Sequence, residues 1–129
     1  MEPRLLIVLV EDDVDLAAVT QIALEREGFN VAVAHQGEEG LALIEQLHPD
    51  VVVTDLVMPV LDGLGLIQQH TAQPGRRAPV IAISAVGSRL HAARELGAVE
   101  ALVKPVQPTE LAAVVRKVVR RAQSGIQDP

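Results

Sequence analysis

The chain has 129 residues, a net charge of −6, no cysteine, and a single aromatic residue, Phe29. This length fits one domain, and such a domain buries roughly two-thirds of the surface of its unfolded chain. The missing cysteine excludes a disulfide framework, a thiolate zinc site and a cysteine nucleophile. The negative charge argues against general nucleic-acid binding. Because no apolar run approaches the ~18 residues of a membrane span, we expect a cytoplasmic protein.

Strand and helix patterns alternate along the chain. Apolar runs predict strands over 4–10, 30–34, 51–55, 79–84 and 99–103. Helical spacing predicts helices over 14–27, 37–47, 64–71, 87–96 and 109–122. Strict alternation implies a parallel sheet with helices on both faces. The best-fitting architecture is a flavodoxin-like α/β sandwich of five βα units with the strand order 2-1-3-4-5.

Local signals mark the helix ends. Asp13 is well placed to cap the first helix, and Gly28 lies just past its end. The fifth helix lacks a capping box, because no Glu or Gln stands three residues after Thr109. The apolar residues of the first helix recur at helical spacing: Leu16, Val19, Ile22 and Ala23. We therefore predict one domain over 1–122, with 123–129 as a disordered tail or the start of a linker.

Acidic residues follow two of the predicted strands. Asp55 ends the third strand, and Glu11 and Asp12 follow the first. The order 2-1-3-4-5 places these strands side by side, and open α/β sheets bind ligands at this edge. Mg²⁺ prefers carboxylate, water and phosphate oxygens. The acids therefore predict a Mg²⁺ site beside a carboxylate nucleophile, whereas Asp13 is better explained as a helix cap.

Two further polar residues end strands at the same edge. Lys104 ends the fifth strand and is a candidate cation for a phosphoryl oxygen, the alternative being a surface lysine. Ser84 ends the fourth strand and is a candidate donor, the alternative being a hydroxyl satisfied within a turn. Ala85 follows it and leaves room for an incoming phosphodonor.

These motifs together resemble the signature of the response-regulator receiver domain of two-component signalling, over about residues 4–121. The motifs are Glu11-Asp12, Asp55-Leu56-Val57-Met58-Pro59, Asp62-Gly63, Ser84-Ala85 and Lys104-Pro105. The resemblance implies that Asp55 accepts a phosphoryl group and that Ser84 and Lys104 bind its oxygens. It implies a Mg²⁺ ligand set of Asp12, Asp55, the Val57 backbone carbonyl and, through water, Glu11. It also implies a cis Lys104–Pro105 bond.

The chain departs from the family pattern at two places. Ala101 stands where receivers commonly carry a Tyr or Phe that swings inward as a switch. We therefore expect the signal to pass through the loop after Ser84 and the fourth helix. Val57 and Val86 flank the site, and neither side chain can position a water, so we expect slow loss of the phosphoryl group.

The resemblance also implies partners. A sensor histidine kinase or a phosphotransfer protein would meet the first helix, whose predicted exposed face offers Asp15, Gln21, Glu25 and Arg26. Phosphorylation-dependent homodimerisation would use the fourth helix, fifth strand and fifth helix. Basic residues of the fifth helix fit either a docking face or a helix end that complements the dipole: Arg116, Lys117, Arg120 and Arg121. We expect neither DNA nor membrane binding by this domain.

Three other functions fit the sequence less well. An aspartyl phosphatase of the haloacid dehalogenase class needs a second Asp two residues after the nucleophile, but position 57 is Val. A pseudo-receiver would not be expected to keep all five site positions. A nucleotide-binding protein would carry a glycine-rich phosphate loop after the first strand, and none is present. Whether the chain is a single-domain regulator or part of a longer one stays open.

Overall fold

The computed structural model describes residues 4–58, 60–75 and 77–124. Within them, five strands alternate with five helices. The strands are β1 (Leu6–Val10), β2 (Asn30–Ala34), β3 (Val51–Asp55), β4 (Val80–Ser84) and β5 (Glu100–Val103). The helices are α1 (Val14–Arg26), α2 (Gly37–Leu47), α3 (Gly63–Thr71), α4 (Gly87–Leu96) and α5 (Pro108–Ser124). No helix in the described ranges is long and apolar enough to cross a membrane.

The strands form one parallel sheet in the order β2-β1-β3-β4-β5, which confirms the predicted flavodoxin-like architecture. Its register decides which side chains meet. Val10 pairs with Thr54, so the next residue on each strand, Glu11 and Asp55, lies at the same carboxyl edge. The sheet therefore brings together acids that are 44 positions apart in sequence.

Apolar layers cover both faces of the sheet. Val8, Val52 and Ala82 belong to the layer under α2, α3 and α4. Ile7 and Val53 belong to the layer under α1 and α5, because successive strand residues point to opposite faces. Burial on both faces explains why these strands read as continuous apolar runs rather than as alternating patterns.

The exposed face of α1 differs from the sequence expectation. Ala17 and Leu24, seven residues apart on one side of the helix, are its buried residues. Leu16, Val19 and Ile22 instead have exposed fractions of 40%, 61% and 51%. The predicted apolar stripe therefore faces mainly solvent, because a small and a large side chain suffice for packing on the sheet. The exposed apolar residues of this helix, Val14, Leu16, Val19 and Ile22, are called the α1 apolar face below.

The helix ends agree with the sequence in α1 and differ in α5. Asp13 caps α1 as predicted, its Oδ1 accepting the Leu16 N–H at 3.0 Å, and Gly28 follows with a φ of 102°. Helix α5 begins at Pro108, a residue suited to a first turn because its missing N–H needs no partner there. The helix continues through Gln123 and Ser124, two residues beyond its predicted end. Positions 125–129 lie outside the described residues.

Candidate functional site

Three acids meet at the carboxyl edge of the sheet. Glu11, Asp12 and Asp55 each offer a carboxylate oxygen, and these oxygens lie within 4.8 Å of one another. Glu11 and Asp55 are only 6% and 8% exposed, so water screens their charges weakly. The structure therefore brings together the three acidic side chains that the sequence singled out for a metal site.

Lys104 lies between two of these acids. Its Nζ is 3.1 Å from Glu11 Oε1 and 3.1 Å from Asp55 Oδ2. The residue follows β5, its backbone N–H donates to the Ser84 carbonyl at 3.0 Å, and its bond to Pro105 is cis. The ammonium thus ties the tip of β5 to the tips of β1 and β3. Its side chain is 27% exposed and paired with both acids, which favours a role in the site over that of a surface lysine.

The environment shifts two of these pKa values. Burial raises the pKa of Glu11 to about 7, against the hydrogen bonds from the Asp13 N–H and from Lys104, and with the charge of Asp55 adding to the rise. Burial opposes the charged form of Lys104, but its hydrogen bonds to Asp55 and Glu11 outweigh that effect and raise its pKa. Lys104 is therefore charged at neutral pH, where Glu11 exchanges its proton.

Ser84 is fully buried at the end of β4. Its Oγ accepts the Val86 N–H at 3.1 Å, which is the turn contact that the sequence left as an alternative. This contact uses a lone pair and leaves the hydroxyl proton for another acceptor. Turn formation and donation to a ligand are therefore compatible at this residue.

Apolar side chains flank Asp55. The Val57 N–H lies 3.4 Å from Asp55 Oδ1, while the Val57 and Val86 side chains are 49% and 43% exposed. Neither side chain offers a hydrogen-bond donor or acceptor. The slow loss of a phosphoryl group that we expect from these valines stays a prediction.

The loop from β3 to α3 carries a polar link that the sequence analysis missed. Asp62 caps α3 through the Gly65 N–H at 2.9 Å, and its other oxygen accepts from Arg89 Nη1 of α4 at 3.3 Å. A Cβ at Gly63 would collide with the Asp55 carbonyl, so glycine is required where this loop passes the site. Aspartate just before a helix start was an available signal for the cap. Its pairing with Arg89 depends on the tertiary structure.

Ala101 lies on β5, an edge strand of the sheet. It pairs with Ala82 of β4 and packs, partly buried, against the apolar layer under α2, α3 and α4. Two neighbouring alanines have no side-chain torsion that could swing. The structure thus offers no aromatic switch at this position.

The basic residues of α5 are partly engaged within the chain. Arg116 pairs with Glu27 at 3.0 Å and lies 5.2 Å from the centre of the Phe29 ring. Lys117 pairs with Glu100 at 2.7 Å. These two residues therefore connect α5 to the end of α1 and to β5.

A small cavity lies beside the acidic site, between α1 and the loop that follows β5. It has a volume of about 190 Å³. Leu16 and Thr20 of α1 line one side, Pro105 and Val106 another, and Lys104 lies at its wall. The cavity therefore connects the α1 apolar face to the residues around Asp55.

Comparisons with known proteins point to one family. A model of the response regulator receiver domain matches residues 7–116. The transcriptional regulatory protein CpxR of Escherichia coli is 38% identical over 118 residues, which cover 90% of this chain and 50% of CpxR. The probable transcriptional regulator ycf27 of Cyanophora paradoxa is 34% identical over 120 residues, covering 92% of this chain and 49% of ycf27. The chain thus spans about half the length of these curated relatives.

Solved structures agree with the sequence comparisons. The receiver domain of the Francisella response regulator 1452 superposes with a TM-score of 0.85 at 30% identity, covering 92% of this chain and 99% of that one. A CheY-like receiver domain protein from Methanospirillum hungatei gives a TM-score of 0.86 at 25% identity, with coverages of 95% and 99%. Fold and motifs therefore lead to the same family.

Proposed function

Because the chain belongs to the response-regulator receiver family and is a receiver domain of two-component signalling, we propose that Asp55 is its phosphoacceptor. The observation that carries this proposal is the position of the Asp55 carboxylate, buried at a strand tip and 3.1 Å from Lys104 Nζ. A carboxylate held beside a fixed cation suits a reaction that depends mainly on alignment and charge neutralisation.

The proposed step transfers a phosphoryl group from a phosphohistidine to Asp55. A carboxylate oxygen attacks phosphorus and forms an acyl phosphate, while the P–N bond breaks. The electron pair of that bond returns to the imidazole, which takes up a proton. Lys104 then exchanges its contact with Asp55 for one with a phosphoryl oxygen, and the Ser84 hydroxyl donates to another. The domain would catalyse only this transfer and the loss of the same group.

We further propose that the acidic site holds Mg²⁺, as the family's acidic pocket does. The three carboxylates exceed the single charge of Lys104, so the donor set fits a divalent cation. Both Glu11 oxygens already have partners, Lys104 at 3.1 Å and the Asp13 N–H at 3.2 Å. Asp55 is held in a similar way, by Lys104 at 3.1 Å and by the Val57 N–H at 3.4 Å, so these contacts do not rank the two acids. The family pattern assigns direct ligation to Asp12, Asp55 and the Val57 carbonyl, with Glu11 acting through water. When bound, Mg²⁺ would neutralise charge on the phosphoryl oxygens.

The signal would leave the site through β4 and α4 rather than through β5. Ala101 has no side chain to reorient, whereas Ser84 is joined to the loop before α4 by its contact with Val86. We therefore expect phosphorylation to change amide chemical shifts throughout residues 87–96. If those shifts stayed unchanged while Asp55 carried phosphate, this route would be wrong.

The partner would be a sensor histidine kinase or a phosphotransfer protein in the cytoplasm. The α1 apolar face supports a docking contact better than the polar residues named from the sequence, of which Gln21 already donates to the Val31 carbonyl. Val19→Asp should therefore slow phosphorylation by a phosphohistidine protein and leave phosphorylation by acetyl phosphate unchanged. Equal slowing with both donors would argue against this surface.

One experiment tests the phosphoacceptor directly. Wild-type protein, Asp55→Ala and the control Asp15→Asn, which changes an exposed acid of α1, are incubated with Mg²⁺ and acetyl phosphate. We expect the mass of one phosphoryl group on wild type and control and none on Asp55→Ala. An unmodified wild type would refute the assignment.

Sedimentation of the same samples tests homodimerisation through α4, β5 and α5. Hydrolysis of p-nitrophenyl phosphate by the protein would revive the phosphatase alternative.

A further inference from the structure

A cation for which the described residues supply no ion pair lies at the amino edge of the sheet, opposite the acidic site. Arg77 stands just before β4, and its Nη1 is buried yet has no hydrogen-bond partner within the described residues. Burying part of a guanidinium without a partner is unfavourable, and such groups in native structures call for an explanation. A negatively charged ligand beside the guanidinium would offset this cost.

Arg77 lines three cavities, which differ in the charged residues that surround them. One contains Glu45 and another contains Asp50, so each already holds a carboxylate that disfavours an anion. The third, called the amino-edge cavity below, lies between Val80, Val99 and Val118 and also contains Glu100. Glu100, however, pairs with Lys117 at 2.7 Å and with Arg94 at 3.5 Å.

Positive charge predominates around the amino-edge cavity. Its lining includes Arg121 as well as Arg77. The hydrogen bond from Lys117, assisted by the charges of Arg94 and Arg121, lowers the pKa of Glu100 despite its burial. Glu100 is therefore matched by more than one cation, and Arg77 adds a further charge. This cavity is the one of the three where an anion is favoured.

Apolar side chains form most of the cavity wall. Its volume is about 350 Å³, near the low end of the roughly 300–1,000 Å³ typical of small-molecule sites. The Thr71 hydroxyl lies 2.8 Å from the Ile67 carbonyl and 3.3 Å from the Leu96 carbonyl, which joins the ends of α3 and α4. A Cβ at Gly97 would approach Thr71 Cγ2 to 3.0 Å, so this corner is closely packed.

We propose that the amino-edge cavity binds a small organic acid, with its carboxylate on Arg77 and its compact apolar body against Val80, Val99 and Val118. The branched aliphatic walls suit a saturated ring or a branched chain. The site does not include Asp55 and functions whether or not that residue is phosphorylated. The domain would thus bind a second ligand at the edge of the sheet opposite the phosphoacceptor.

Cyclohexanecarboxylate is the probe, added to ¹⁵N-labelled protein and followed by amide chemical shifts. We expect saturable changes at residues 78–80, 97–100 and 118–122. The neutral cyclohexanecarboxamide should bind at least about tenfold more weakly, since it lacks a charge-assisted hydrogen bond to Arg77. Inorganic phosphate should bind more weakly as well, because it has no apolar body.

Three variants complete the test. Arg77→Leu should lose the preference for carboxylate over carboxamide, while Arg120→Leu, an equal change of charge at an exposed position of α5, should keep it. Asp55→Ala should bind as wild type does. The proposal is overturned by an absence of saturable shifts, by equal binding of acid and amide to wild type, or by shifts centred on Glu45 and His48. The comparison of acid with amide needs only wild-type protein, so it decides even if Arg77→Leu fails to fold.

Discussion

Each edge of the sheet holds a partly buried cation, but only one of the two cations is paired within the described residues. At the carboxyl edge, Lys104 contacts two carboxylates at 3.1 Å each. At the amino edge, Arg77 carries a buried Nη1 with no partner among the described residues. In the first arrangement the cation is already paired, and its contacts have to be rearranged when a ligand binds. The second is incomplete and gains its partner on binding.

This difference separates two ways to prepare a binding site. The paired lysine keeps Glu11 and Asp55 from repelling each other, but it competes with any incoming cation for their oxygens. Arg77 has no partner among the described residues that a ligand would have to displace. Its partial burial, however, lowers the stability of the domain without a ligand. Removing Lys104 should therefore impair phosphorylation at the carboxyl edge, whereas removing Arg77 should stabilise the domain.

The largest effect is expected from Lys104→Met. Losing the cation that neutralises the phosphoryl oxygens should slow phosphorylation by acetyl phosphate about 100-fold or more. The same change should tighten Mg²⁺ binding, because no ammonium then occupies the carboxylate oxygens. Both quantities can be measured on one sample, by mass spectrometry and by calorimetric titration.

The control for this prediction is Lys117→Met, which breaks the 2.7 Å pair with Glu100 away from the site. It should leave phosphorylation and Mg²⁺ binding near their wild-type values. A Lys104→Met protein phosphorylated at the wild-type rate would remove the proposed role of the lysine.

The next effect concerns pH. Because burial raises the pKa of Glu11 to about 7, the folded domain holds a proton that the unfolded chain releases near 4.5. Without Mg²⁺, the contribution of Glu11 to the free energy of unfolding is present below pH 4.5 and is lost as the pH rises through 7. Mg²⁺ affinity should change in the opposite direction, rising with pH by at most about tenfold per unit and levelling off near 7.

Glu11→Gln should remove most of this pH dependence, while Glu25→Gln, at an exposed position of α1, should keep it. Titration of Mg²⁺ between pH 5 and about 8, across the titration range of Glu11, checks the prediction. An affinity that did not vary with pH in wild type would show that Glu11 is not coupled to the metal site.

A smaller effect, a gain in stability rather than a loss of function, is expected at the amino edge. Arg77→Leu should raise the free energy of unfolding by about 1 kcal/mol, because it replaces a buried unpaired donor by an apolar group. Arg120→Leu should change it little. Urea unfolding followed by circular dichroism measures both, and a destabilised Arg77→Leu would mean that the guanidinium has a stabilising partner.

The smallest effect tests whether the contribution of an ion pair to stability depends on its burial or on its location at the carboxyl edge. Arg89 and Asp62 lie at the carboxyl edge, but their side chains are 40% and 36% exposed. Arg89→Ala should therefore cost about 0.5 kcal/mol or less. Asp62→Ala also removes the cap of α3 and should cost about 1 kcal/mol. An Arg89→Ala protein as unstable as Asp62→Ala would show that the ion pair matters more than its exposure indicates.

The sequence predicted the bounds of β2, α2, β3 and α4, because apolar periodicity is a local signal. The strict alternation of strands and helices led to the order of the sheet. It also named the acids and the lysine that meet at the carboxyl edge. Residues that follow parallel strands share an edge once the order of the strands is known. The motif pattern then identified the family from the same residues.

Other features depend on neighbours distant in sequence and were decided only by the tertiary structure. Helix α1 turns Val19 and Ile22 outward, because Ala17 and Leu24 are the residues that pack on the sheet. Glu11 acquires its raised pKa from burial, and its ion-pair partner Lys104 lies 93 residues away. Arg77 resembles any surface arginine in the sequence, and only the surrounding elements bury its Nη1. Residue identity thus determined which groups are present, whereas burial and pairing, which set their energies, came from the fold.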